Sequence, residues 1–248
     1  MIILYEVAAY VYKGTREKND DRVAICQKII SSGTFSEKYN KLMVSVFDGV
    51  GGQAHGDAAA QAAAEAFISE YSNGFDVSSN YSEQLIKKSY DAVMNVRATD
   101  NEHCNAATTI AGILLSEKAV VYFNWGDSKI FLCRNSIIKQ ISKDHTLLQQ
   151  MLDIGVKCPP LSSKSPLTGY LGCPLNKSDK PMIYVDSVQE NDIWIICTDG
   201  LSDFLSINLM LEILNLDCSL IDKCRKMVDD SINNGSNDNI SVILIKGE

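Results

Sequence analysis

Short apolar runs alternate with polar turns along most of the chain. Residues 2–12 and 42–47 read as strands, separated by a polar stretch at 15–21 and a further strand at 22–29. A glycine-rich turn follows. Beyond it, residues 57–71 (DAAAQAAAEAFISEY) are dominated by alanine, the strongest helix former, and predict a helix. Residues 83–97 place Leu85, Ile86, Val93 and Val96 at helical spacing and predict a second. Four β-rich segments come next, at 108–115, 119–124, 129–134 and 137–141, with the short polar separations of an antiparallel meander. A helix at 146–154 leads into residues 155–180, which hold four of the five prolines and read as a loop or small irregular flap. Strands at 182–188 and 192–198, a second Asp-Gly turn, helices near 207–215 and 219–233 and a strand at 240–245 close the pattern.

Two groups of strands, each followed by a pair of helices, predict an α+β fold. Its two mainly antiparallel sheets face each other and the helices cover the outside. At 248 residues the chain fits one large domain spanning 1–248, with the flap around 155–180 as its irregular part.

Composition narrows the function classes. With 46% hydrophobic and 22% charged residues the chain is globular. Its 23 basic against 31 acidic residues, for a net charge of −8, and the lack of a basic cluster exclude a nucleic-acid backbone binder. Apolar stretches such as Ile110–Leu115 fall far short of the roughly 20 residues that span a bilayer. The first residues lack the basic region of a signal peptide, so a cytoplasmic location is expected. The eight cysteines form no CxxC pair and are expected to be reduced, small buried hydrophobes.

Candidate chemistry lies in four acidic elements at strand ends: Asn19-Asp20-Asp21, Asp48-Gly49, Asp199-Gly200 with Asp203, and Asp238-Asn239. Each taken alone is ordinary turn chemistry. Together they are harder to dismiss, because VSVFDG and WIICTDG both end a core-forming run on a carboxylate, which is costly to bury unpaired. All the donors are oxygens and no matching set of lysines or arginines accompanies them, so magnesium or manganese is the simplest counter-charge. A glycine at 49 would let its carbonyl approach an ion closely. Arg16 reads either as a phosphate clamp or as a solvated loop residue. Asp127, in the turn Asn124–Ser128, reads either as a turn residue or as a peripheral ligand. His145 is expected to hydrogen-bond at a helix N-terminus, and neither His55 nor His103 stands in a catalytic-triad context.

In order, REKNDD, FDGVGG followed by GD, ATT, WGDSK, KDHT, CTDGLSD and NDNIS resemble the motif series of the metal-dependent serine/threonine protein phosphatases of the type 2C (PPM) family, and the short overall length resembles its compact bacterial members. The series runs from Arg16 to Ser241. The resemblance implies an αββα four-layer sandwich. It also implies that Asp48 bridges two Mg²⁺ or Mn²⁺ ions, with the Gly49 carbonyl and the Asp20/Asp21 pair on one side and Asp199 and Asp238 on the other. Arg16 would hold phosphate, Asp127 and Asp203 a third, weaker ion, and Asn239 would support the last ligand. The implied reaction is hydrolysis of phosphoserine and phosphothreonine in phosphorylated proteins, the products of a serine/threonine kinase, by a hydroxide bridging the two ions. The chain departs from the family at Val50, where many members carry a histidine, at Asp20, where glutamate is usual, and at Lys129 and Thr198, where arginine and serine are common. Two other readings stay open: a pseudophosphatase that binds phosphoproteins without turnover, and a metal-dependent phosphatase of small molecules.

Overall fold

The computed structural model describes residues 3–50, 55–72, 74–99, 102–157, 165–176 and 178–247. The first half contains β1 (Tyr5–Tyr12), β2 (Arg22–Ile25), β3 (Lys28–Ile30), β4 (Gly33–Tyr39), β5 (Leu42–Phe47), β6 (Gly49–Val50), α1 (Gly56–Ser69), α2 (Ser79–Arg97), β7 (Ala107–Thr108) and β8 (Ile110–Leu115). The second contains β9 (Ala119–Trp125), β10 (Lys129–Arg134), β11 (Ile137–Gln140), α3 (Leu147–Asp153), β12 (Met182–Ser187), β13 (Ile193–Cys197), α4 (Asp199–Ser202), α5 (Ile207–Leu214), α6 (Leu220–Asn233) and β14 (Ile240–Gly247).

One sheet runs β11-β10-β13-β14-β1-β4 and the other β12-β9-β8-β5-β2-β3. Their ladders are antiparallel throughout. The strand alternation explains how the layers stack. On β5, Leu42, Val44 and Val46 enter the core between the sheets, while Met43 and Phe47 face α1 and α2 beside Phe67 and Leu85. On β14, Ile243 and Ile245 point inward, while Val242 and Leu244 pack with Met210, Ile213, Met227 and Val228 of α5 and α6. Both faces of these strands are therefore covered, which is why they read as unbroken apolar runs. The inter-sheet core holds a buried polar bridge, Trp194 Nε1 donating to the Tyr122 hydroxyl at 3.0 Å. The four-layer expectation holds.

Several local expectations do not. The strand expected at 22–29 is a hairpin, β2 and β3, because Cys26 takes a left-handed φ of 52° and its N–H bonds the Met43 carbonyl at 2.8 Å. The sequence reading contained no β4. Its GTFSEKY is largely exposed at a sheet edge and shows no apolar alternation to find. The supposed meander is split: β8 and β9 belong to one sheet, β10 and β11 to the other, so the chain crosses between sheets at Gly126–Ser128. The second Asp-Gly turn is one helical turn, α4, and the first forms the small ladder of β6 with β7. Within the flap, residues 158–164 and 177 lie outside the described residues. Thr168 and Leu171 are tied by backbone hydrogen bonds to His145 and Thr108. Seven described cysteines are free thiols, with Cys104 and Cys218 exposed and the other five buried, and Cys158 lies outside the described residues. Among the described residues no helix is long and apolar enough to cross a membrane.

Candidate active site

Strand register gathers the acidic elements at one end of the sandwich. Tyr12 pairs with Ile240, which sets the loop after β1 beside Asp238 and Asn239. Arg22 pairs with Phe47, so Asp20 and Asp21 arrive next to Asp48. Cys197 pairs with Val242 on one side and with Lys129 on the other, bringing Asp199 to the same end as Asp127. These ends open into a cleft of about 770 Å³ lined by Arg16, Asp20, Asp48, Gly49, Asp127, Lys129, Asp144, Asp199, Asp203, Asp238 and Asn239, among others. Every site residue expected from the sequence lines it except Asp21.

Asp21 lies behind the wall. It is 1% exposed, and its Oδ2 accepts hydrogen bonds from Ser241 Oγ at 2.7 Å and Thr198 Oγ1 at 3.0 Å. The sequence treats Asp20 and Asp21 alike; the structure separates a cleft carboxylate from one that ties β2 to the ends of β13 and β14. Asp48 is held through its backbone: its N–H donates to Thr109 Oγ1 at 3.1 Å, and its carbonyl accepts from the Thr108 hydroxyl and the Thr109 N–H, both at 2.9 Å. This gives the ATT motif a role in placing the carboxylate. Gly49 is required by packing, since a Cβ there would meet the Gly56 carbonyl carbon and oxygen at 2.6 Å and the Asp20 carbonyl oxygen at 2.8 Å.

Asn239 is a clamp. Its Nδ2 donates to the carbonyls of Lys13 at 2.7 Å and Lys18 at 2.9 Å, and its Oδ1 accepts from the Asp20 N–H at 2.8 Å. Arg16, on the clamped loop, donates from Nη2 to Asp238 Oδ2 at 2.8 Å and is about half exposed (48%) at the cleft lip. His145 does not cap a helix; Thr146 does that, accepting from the Gln149 N–H. The buried His145 ring accepts from the Gly126 N–H at Nδ1 (3.2 Å) and donates from Nε2 to the Lys180 carbonyl (2.9 Å), pinning the turn that carries Asp127. Sequence reasoning missed this role, although the five-residue turn at 124–128 was visible. His55, which stands in no triad context, lines the cleft and stacks on His103 with centroids 3.8 Å apart.

The electrostatics follow from crowding and burial. Burial pushes the Asp48 carboxyl well above the usual range, and Asp199, Asp21, Asp127 and Asp238 add to the shift. Asp21 and Asp127 are each pushed up to about 7, by burial first and by the field of Asp199 among others. Asp20 is raised by burial and by Asp57.

This donor set, all oxygen and unbalanced in charge, fits hard divalent cations. Among the described residues no three His, Cys, Asp or Glu side chains already form a cage.

A family model for protein phosphatase 2C matches residues 17–152. The chain belongs to the protein phosphatase 2C family. Over 229 residues it is 28% identical to a putative protein phosphatase of Mycoplasma genitalium, covering 85% of this chain and 86% of that protein. It is 24% identical over 223 residues to the serine/threonine phosphatase stp of Listeria monocytogenes, covering 87% and 88%. Its fold is similar to that of the serine/threonine phosphatase Stp1 from Staphylococcus aureus (TM-score 0.83, 22% identity, 98% of this chain and 94% of that one). It is also similar to the catalytic domain of the serine/threonine protein phosphatase PstP in complex with two manganese ions (TM-score 0.81, 21% identity, 99% of each). In this family member the carboxylate cleft occupies the sheet ends described above.

Proposed function

We propose that the cleft hydrolyses phosphoserine and phosphothreonine in proteins with the help of two divalent cations, Mg²⁺ or Mn²⁺. Family membership supports the activity class, a protein-serine/threonine phosphatase. The observation that carries the site assignment is the convergence of Asp48 and Asp199 on one open cleft, with Arg16 at its lip.

Asp48, Asp199, Asp238 and the Gly49 carbonyl would hold the ions, with Asp20 in the wall and Asp21 fixing the backbone behind it. Bound there, divalent cations supply a water of lowered pKa and neutralise phosphoryl oxygens. The chain's own residues do the rest. Arg16 binds phosphate: its Nη2 donates to Asp238 Oδ2, which orients the fork, and its half-exposed guanidinium lines the cleft. Thr108 and Thr109 keep Asp48 in register, and Asn239 keeps Asp20 and Arg16 on the same short loop within reach. Val50 offers no proton to a departing alkoxide, so the chain itself supplies none at that position. The phosphorylated substrates imply a serine/threonine kinase as their source, and a cytoplasmic setting completes the reading.

The test is hydrolysis of phosphothreonine peptides and of an aryl phosphate, with Mn²⁺ and with a chelator. Turnover of the peptides in Mn²⁺ and its loss in chelator are expected; turnover of a small phosphate alone would remove the protein-substrate assignment.

A further inference from the structure

The acidic residues of the cleft fall into two groups that the chain's own cations treat differently. At one end, Asp144 and Asp203 flank a lysine. The Lys129 ammonium stands 3.4 Å from Asp203 Oδ1 and 3.5 Å from Asp144 Oδ2, and donates to Ser202 Oγ at 3.2 Å. Asp127, two residues before it, lies in its field.

The lysine is not a surface residue that drifts into range. Its side chain is 15% exposed, and its backbone opens β10 in register with Cys197. Its partners come from two further segments, the end of α4 and the stretch before α3. A compact point charge with three donors is thus gripped by groups that the fold holds in place. A divalent ion bound to Asp203 would have to sit within a few ångströms of that ammonium and compete with it for the same oxygens.

We propose that the Lys129 ammonium is a built-in cation that takes the place of a third metal ion at this end of the cleft. This reading stands in place of the expectation that Asp127 and Asp203 hold a third ion, and it rests on the two-cation reading above. A metal ion at that end would come and go with its concentration; the lysine is always present. The chain therefore takes up two ions and closes the third position itself.

Counting bound Mn²⁺ tests this without recourse to activity, by the electron paramagnetic resonance signal of free Mn²⁺ during titration of the full chain. Wild type should saturate at two ions. Lys129→Met, which keeps the stem and removes the charge, should bind one more ion with weaker affinity, and Asp203→Asn in that background should remove it. Three ions on wild type would overturn the proposal, as would an unchanged count in Lys129→Met with native near-ultraviolet circular dichroism. Should that variant fail to fold, Lys129→Gln is judged by the same count. No Mn²⁺ on wild type would overturn the two-cation reading itself, an outcome distinct from two ions on both wild type and variant.

Discussion

The side-chain oxygen of Asn239 accepts a 2.8 Å hydrogen bond from the backbone N–H of Asp20, 219 positions earlier in the chain. With its bonds to Lys13 and Lys18, this one amide anchors the loop that carries Arg16 and Asp20. Asn239→Ala should cost about 1–3 kcal/mol of stability, the net worth of three partly buried hydrogen bonds. It should also raise KM for phosphopeptide, because the loop loses its register. Urea unfolding together with steady-state kinetics checks both, and unchanged values would reduce Asn239 to a spectator.

Asp48→Asn and Asp199→Asn remove charge from the cleft and almost no volume. Each should lower kcat by about a hundredfold or more at saturating Mn²⁺, since metal-assisted activation contributes several kcal/mol to such reactions. Circular dichroism should stay native. A variant with near wild-type kcat would not be missing a core ligand.

Stability of the chelated protein should depend on pH with a definite sign. Asp21 and Asp127 titrate near 7 in the fold, and Asp48 well above the ordinary carboxyl range, chiefly because they are buried. A carboxyl whose folded pKa exceeds its unfolded one gives full stability below the unfolded value, near 4, and loses it as pH rises through the folded value. Scanning calorimetry in chelator should show Tm falling from about pH 5 to about pH 8. Asp48→Asn should flatten that slope, and Mn²⁺ should raise Tm at the alkaline end. A Tm that climbs with pH in chelator would contradict the assignment.

Arg16→Ala should weaken inhibition by free phosphate by roughly tenfold or more, the worth of one or two charge-assisted hydrogen bonds. Mn²⁺ affinity should not fall, because a guanidinium repels cations and its loss frees Asp238 of a competitor. Inhibition constants and Mn²⁺ titration separate the two effects, and equal phosphate inhibition in wild type and variant would return Arg16 to a solvated loop role.

Much of this was legible in the sequence, for physical reasons. Alanine density marked α1, and apolar runs ending on Asp48 and Asp199 marked strands that deliver carboxylates to a sheet end. β4 was not legible, because an exposed edge strand with Ser36, Glu37 and Lys38 buries too little to impose a pattern. The crossing at Gly126 was not legible either, since a turn within a sheet and a turn between sheets use the same residues. Asn239, His145 and Lys129 act through partners 15 to 226 positions away, which no local spacing reports.

The central pairing of β1 with β14 has a consequence for biosynthesis. The cleft needs Asp20 from the first strands and Asp238 and Asn239 from the last, so no segment shorter than nearly the whole described chain contains it. Contacts of such long sequence separation form late, after their loop-closure entropy has been met. A nascent chain still holding β14 inside the ribosome can bury much of the second sheet against α1 and α2, yet it has no phosphatase cleft. Activity therefore requires β14 to be in place, and a chain that stops before residue 238 lacks Asp238 and Asn239, which its cleft needs.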